Sequence, residues 1–297
     1  MFPFLKQEAE AAGKADSCAG CPNQAICASA PKGPDPDIPA ITARLSGIKH
    51  KVLILSGKGG VGKSTFTSLL AHAFATNPDN TVGIMDTDIC GPSIPKMMGV
   101  EDETIHVSGG GWSPVWVLEN LGVMSVQFML PNRDDAVIWR GPMVTSAIKT
   151  FTQKVLWSDL DFIIVDMPPG TGDTQLTFAQ EIKVDGAIIV STPQEIALLD
   201  VKRGINMFDK LKVPILGLVD NMSFFETDEG KKYNIFGEGG VEKVAKDYKK
   251  KFLGKIPINI DLRVAADSGK PLVEKNPDHK ISTIFKEMAK KVKESFL

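Results

Sequence analysis

Val52-Leu53-Ile54-Leu55-Ser56 runs without a break into Gly57-Lys58-Gly59-Gly60-Val61-Gly62-Lys63-Ser64, and helix-forming residues then continue from Thr65 to Thr76. The octapeptide fits G-x-x-x-x-G-K-[ST] and stands between a strand-like run and a helix, the setting in which that pattern cradles phosphate. Its glycines admit backbone conformations closed to other residues and turn successive N–H groups inward, while the helix N-terminus adds positive potential. Gly57, Lys58, Gly59, Gly60, Val61, Gly62, Lys63, Ser64 and Thr65 are therefore the expected nucleotide-binding residues. Lys63 is expected to reach the β- and γ-phosphates, and the Ser64 hydroxyl to ligate Mg²⁺.

Working outward, apolar runs of strand length recur at 52–56, 82–86, 162–166, 186–192 and 215–222. They show no alternation of polar and apolar residues, which predicts strands buried on both faces in a parallel sheet covered by helices. Helix-like segments at Thr65–Thr76 and Ile196–Leu211 lie between them, so strand and helix alternate in the doubly wound α/β pattern. Near the end, Ile281, Ile284, Phe285, Met288, Val292 and Phe296 form one helical stripe opposite lysines, a helix that docks on the sheet. Residues 101–115 read as a loop or hairpin insertion.

The 297 residues are 43% hydrophobic and 24% charged, enough to bury a sizeable core. A net charge of −2 gives no basic field of the kind nucleic-acid binders carry. No run approaches the roughly 18 apolar residues of a membrane span, and the first residues lack the basic start and apolar run of a secretory signal. A cytoplasmic location, with neither nucleic-acid nor membrane partners, is the expectation. Thiols stay reduced there, so cysteines are read first as metal ligands, catalysts or core residues.

Three of the four cysteines cluster as Cys18-x2-Cys21-x5-Cys27, followed by residues 28–40 with four prolines. This divides the chain into a cysteine-bearing head and extended linker (1–40) and an α/β domain (41–297). The cluster has too few ligands for a zinc knuckle, and thiolates at this spacing suit an iron–sulfur cluster, although such clusters normally take four cysteines. The fourth cysteine, Cys90, reads as a packing residue. His50, His72, His106 and His279 make no ligand spacing.

Asp166 ends the FIIVD run and precedes Met167-Pro168-Pro169-Gly170-Thr171-Gly172-Asp173. A carboxylate at the tip of a buried strand facing the phosphates is the expected Mg²⁺ partner, and the glycine-rich stretch after it is suited to sensing the γ-phosphate. Asp86 and Asp88 end another strand, where they serve either the nucleotide or as a helix cap or turn.

With its second lysine at position 58, the loop resembles the deviant Walker A ATPases, a group that includes MinD, ParA and the nitrogenase iron protein. The resemblance implies a sandwich homodimer in which Lys58 reaches the partner's nucleotide. It also implies that Asp86 and Asp88 form switch I, with Asp86 at Mg²⁺ and Asp88 activating the attacking water, and that Asn221 with backbone near Pro193 recognises adenine. Taken with the head, the segments DxDxCGPSIP, WRGPM, DMPPGTGDTQLT, STPQEIALLD and GKIPI resemble the Mrp/ApbC family of iron–sulfur scaffold ATPases, in the branch with an N-terminal [4Fe–4S] site. The head is similar to the eukaryotic cytosolic branch, and the later segments to the bacterial and mitochondrial one. Two departures stand out: Phe4 occupies the place of a further head cysteine, and the stretch from Asn221-Met222-Ser223 to Glu229, a few residues into which the family usually carries Cys-Pro-x-Cys, holds no cysteine. The resemblance implies slow ATP hydrolysis with Mg²⁺, coupled to assembling a cluster held by Cys18, Cys21 and Cys27 and delivering it to apo-proteins. The partner is a second copy or a related ATPase. The competing function is a MinD/ParA-like positioning ATPase without a cluster.

Overall fold

The computed structural model describes residues 37–88, 91–130, 141–170 and 182–297, with backbone alone at 141–145 and 147, plus isolated positions 19, 20, 24 and 28. Along the chain the principal elements are α1 (Ile38–Arg44), β1 (His50–Leu55), α2 (Lys63–Ala75), β2 (Val82–Asp86), α3 (Ile94–Met97), β3 (His106–Ser108), β4 (Gly111–Ser113), β5 (Val115–Leu118) and β6 (Leu121–Ser125). Then come α4 (Gly141–Lys154), β7 (Phe162–Asp166), β8 (Gly186–Ser191), α5 (Glu195–Lys210), β9 (Ile215–Glu226) and β10 (Lys232–Tyr233). The last are α6 (Gly240–Asp247), β11 (Phe252–Ile258), α7 (Ile260–Asp267), α8 (Leu272–Lys275) and α9 (Lys280–Lys293).

Nine strands form one sheet in the order β10-β9-β8-β1-β7-β2-β6-β5, with β11 also on β9. The pairs β6–β2, β2–β7, β7–β1, β1–β8, β8–β9 and β9–β11 are all parallel. Only β5 and β10 run antiparallel. Strand β1 explains the uninterrupted apolar runs. Leu53 and Leu55 point into one core layer with α1, α4, α5 and α6, whereas Val52 and Ile54 point into the other with α2, α7, α8 and α9. Both faces are dry, so neither set of alternate residues can be polar.

Helix α9 docks as its stripe requires: Ile281, Phe285, Met288 and Val292 are buried, and Phe285 packs on Phe66 of α2 at 5.6 Å between ring centres. The expected insertion is the β3–β4 hairpin. One expectation changes. Residues 38–40, read as extended linker, open helix α1, whose Ile41 is buried in the core. Its proline sits in the first turn, where the missing N–H has no intrahelical acceptor to lose.

Candidate functional site: a glycine loop facing paired strand-end carboxylates

The loop after β1 curls over the sheet's carboxyl edge, and two of its glycines are required by geometry. Gly62 has φ 82° and forms the N-cap of α2, and a Cβ there would lie 2.2 Å from Asn221 Nδ2. A Cβ on Gly57 would lie 2.4 Å from Asp200 Cβ of α5. The loop is therefore pressed between the helix behind it and β9 beside it, with room for main chain alone. Asn221 Nδ2 donates to the Val61 carbonyl at 2.8 Å, tying the loop to β9.

Opposite the loop, parallel register aligns Asp166 of β7 with Asp86 of β2, and Asp86 with Ser125 of β6. Asp166 is 0% exposed and collects three donors. Lys63 Nζ and Ser64 Oγ each reach Oδ2 at 2.6 Å, and Thr67 Oγ1 reaches Oδ1 at 2.6 Å. All three donors come from the first turns of α2, at spacings that share one helix face. Lys63, 6% exposed, also stands 3.4 Å from Asp88 Oδ2. Asp86 accepts from Ser125 Oγ at 2.9 Å and from the Asp88 N–H at 3.2 Å. Burial, reinforced by the Asp166 charge, raises the Asp86 carboxyl far above the ordinary carboxylate range, against the opposing pull of Ser125 and Lys63. Thr87 joins the strand ends by donating its N–H and its hydroxyl to the Asp166 carbonyl at 3.0 and 2.7 Å.

The structure thus gathers Lys63, Ser64, Asp86, Asp88 and Asp166. Thr65 lies half-buried in the first turn of α2, and Lys58 is half-buried at the start of the loop with no ion pair among the described residues. Asn221 faces the loop, and the Pro193 carbonyl oxygen lies 2.7 Å from where a Gly240 Cβ would stand, at the start of α6. Cys18, Cys21, Cys27, Cys90 and residues 171–173 lie outside the described residues, and among those described no three His, Cys, Asp or Glu side chains converge as metal ligands. Thr67 and Ser125 escaped the sequence reading. Thr67 carried a signal, since it falls one helical turn after Lys63. Ser125 carried none, because its role depends on the register between β6 and β2.

The donor chemistry suits a hard divalent cation: buried carboxylates and a hydroxyl, all oxygen, beside a loop built for phosphate. These features define a P-loop nucleotide-binding protein with a mostly parallel α/β sheet. The profile of the ParA family described as "NUBPL iron-transfer P-loop NTPase" matches residues 47–293, and the chain belongs to that family. It is similar to a nucleotide-binding protein from Archaeoglobus fulgidus solved in complex with ADP, at 40% identity, covering 81% of this chain and 94% of that one, with a TM-score of 0.71. The fold is also that of the Pyrococcus furiosus cell division ATPase MinD, at 21% identity, 83% and 99% coverage and a TM-score of 0.59. A putative plasmid partition protein from Borrelia burgdorferi bound to AMPPNP shares it too, at 20% identity, 83% and 99% coverage and a TM-score of 0.57. Among the described residues no helix is long and apolar enough to cross a membrane.

Proposed function

We propose that this protein is an ATP-hydrolysing carrier for iron–sulfur cluster assembly, with the nucleotide held at the Gly57–Thr65 loop and the cluster as cargo at the cysteine head. The observation that carries the reading is the convergence of Lys63, Ser64 and Asp166, joined by Asp86 and Asp88, at the ends of two adjacent strands under a glycine loop. Family membership supports the iron connection, and the ADP complex of the Archaeoglobus relative supports an adenine nucleotide.

Mg²⁺ would be held by Ser64 with Asp166 and Asp86, and when bound it neutralises phosphate charge. The remaining work falls to the chain. Loop N–H groups and Lys63 stabilise charge on the γ-phosphoryl group while Asp88 orients the water that attacks phosphorus. The bond to the β–γ bridging oxygen breaks, giving ADP and phosphate. Phosphate competes with Asp166 and Asp88 for Lys63, so nucleotide binding exchanges an internal ion pair for an external one and moves the strand-end acids. Lys58, half-buried at the start of the loop and without an ion pair among the described residues, serves the nucleotide of a second copy in a sandwich dimer. Cys18, Cys21 and Cys27 supply three thiolates, and an outside ligand completes the cargo site before transfer to an apo-protein. A related ATPase is a further candidate partner. This work is done in the cytoplasm, without nucleic acid or membrane. The domain from 41 onward supplies the engine and residues 1–40 the cargo arm.

Three measurements on the full chain test this. Mg²⁺-dependent ATP turnover should fall at least about 100-fold in Lys63→Ala, and sedimentation with ATP should show a dimer lost in Lys58→Ala. Anaerobic reconstitution with iron and sulfide should load the intact chain and not a Cys18→Ala/Cys21→Ala/Cys27→Ala variant. Equal iron in both would remove the cargo assignment while leaving the ATPase standing.

A further inference from the structure

Successive residues of a strand face opposite sides of the sheet. Asn221 therefore meets the phosphate loop, and its neighbour Asp220 faces the α6 side. There Asp220 lines a cavity of about 220 Å³ shared with Phe224 of β9, Lys232 of β10, Asn234 and Glu238 of the segment before α6, and Lys255 of β11. Asp220 is 1% exposed, and neither carboxylate oxygen has a hydrogen-bond partner among the described residues. A sealed carboxylate without donors is costly, and native structures rarely keep one without a use.

The charges around it are already apportioned. Lys255, the register partner of Asp220, stands 3.2 Å from Glu242. Lys232 stands 3.9 Å from Glu226, which Lys280 holds more closely, and lies over the Phe224 ring at 4.7 Å. Glu238 accepts from the Asn234 amide at 2.9 Å. Lys255 is matched by Glu242 and Lys232 shares Glu226, while among the described residues neither Asp220 nor Glu238 has a salt-bridge partner, one in the floor and one in the wall. Among the described residues no three His, Cys, Asp or Glu side chains converge here as metal ligands. An ammonium group needs only two or three acceptors and leaves an apolar stem to lie against Phe224. At about 30 Å³ per atom, the volume of a liquid water, the cavity admits roughly seven non-hydrogen atoms.

We propose that this cavity is a second ligand site, separate from the nucleotide site, and that it takes a small protonated aliphatic amine whose N–H groups donate to Asp220 and Glu238. The cavity backs onto the strand that holds Asn221 against the phosphate loop, so an occupant there adjoins the nucleotide machinery through one strand.

Calorimetric titration of the nucleotide-free full chain tests this, using putrescine, the uncharged 1,4-butanediol and the anionic succinate as probes, with Mg²⁺ as a fourth. The expected result is saturable, one-to-one binding of putrescine alone, weakened at least tenfold by the near-isosteric Asp220→Asn and several-fold by Glu238→Gln. Melting curves establish that each variant is folded, and Glu238→Gln keeps the test alive should Asp220→Asn unfold. The proposal is overturned if putrescine gives no saturable heat, if both variants bind it as the parent does, if the diol binds equally well, or if Mg²⁺ takes the site instead.

Discussion

Asp166 and Asp220 are both aspartates on central parallel strands, both shut away from solvent, and both within reach of lysines, yet their surroundings are opposite. Asp166 faces the start of α2 and receives donors from Lys63, Ser64 and Thr67. Asp220 faces the α6 side and receives none among the described residues. Burial pushes the Asp220 carboxyl up to about 6, helped by Glu242 and opposed by Lys255. The lesson is that depth alone does not set the fate of a buried acid. A helix start supplies donors in a fixed fan, whereas a cavity wall supplies them only with its ligand.

The largest effect should come from breaking the satisfied acid. Asp166→Asn keeps the shape but removes the charge opposite Lys63, and ATP turnover with Mg²⁺ should fall by about 10²–10³-fold in a steady-state assay. Next is the pH response of the unsatisfied acid. The folded protein holds the Asp220 proton to higher pH than the unfolded chain does, so it binds more protons between about pH 4 and 6 and loses stability as pH rises through that window. With a folded pKa of about 6 against an ordinary 3.8, the loss is at most about 3 kcal/mol. Asp86 gives a slope of the same sign, so the measurement is the difference between parent and Asp220→Asn in denaturant melts at pH 4.5 and pH 7.5. The variant should lack this part of the slope and be the more stable of the two at the higher pH.

Smaller effects sharpen the contrast. Thr67→Val deletes one donor to the Asp166 carboxylate and should cost about 1.5–3 kcal/mol in thermal or denaturant melts, because the lost bond is to a charged group. Asn221→Ala removes the bond to the Val61 carbonyl. It should cost about 1 kcal/mol, read as a roughly fivefold weaker ADP affinity by calorimetry.

Much of the architecture was legible because β1, β2, β7, β8 and β9 sit in the middle of the sheet, where dryness on both faces writes itself as unbroken apolar runs. Elements without that pressure stayed hidden. β6 carries Gly122 and β11 carries Gly254 and Pro257, residues that break a strand-like reading although tertiary pairing overrides them. Helix α4 opens on Gly-Pro and contains three threonines, a weak helix former held by its packing of Ile148 and Phe151. At the site, the loop motif and strand-end acids announced themselves through local spacing. Ser125 and Asp220 did not, since one depends on cross-strand register and the other on which face of β9 meets the loop.

The bond from Asn221 to Val61 spans 160 residues. Ribosomal synthesis proceeds from the N-terminus, so the glycine loop emerges early but waits for β9 before its final brace can form. Central β1 likewise waits for β7 and β8, its neighbours on either side. A nascent chain that stops short of β9 therefore displays the phosphate-binding sequence without its finished shape, and nucleotide capture becomes a late event in the birth of the molecule.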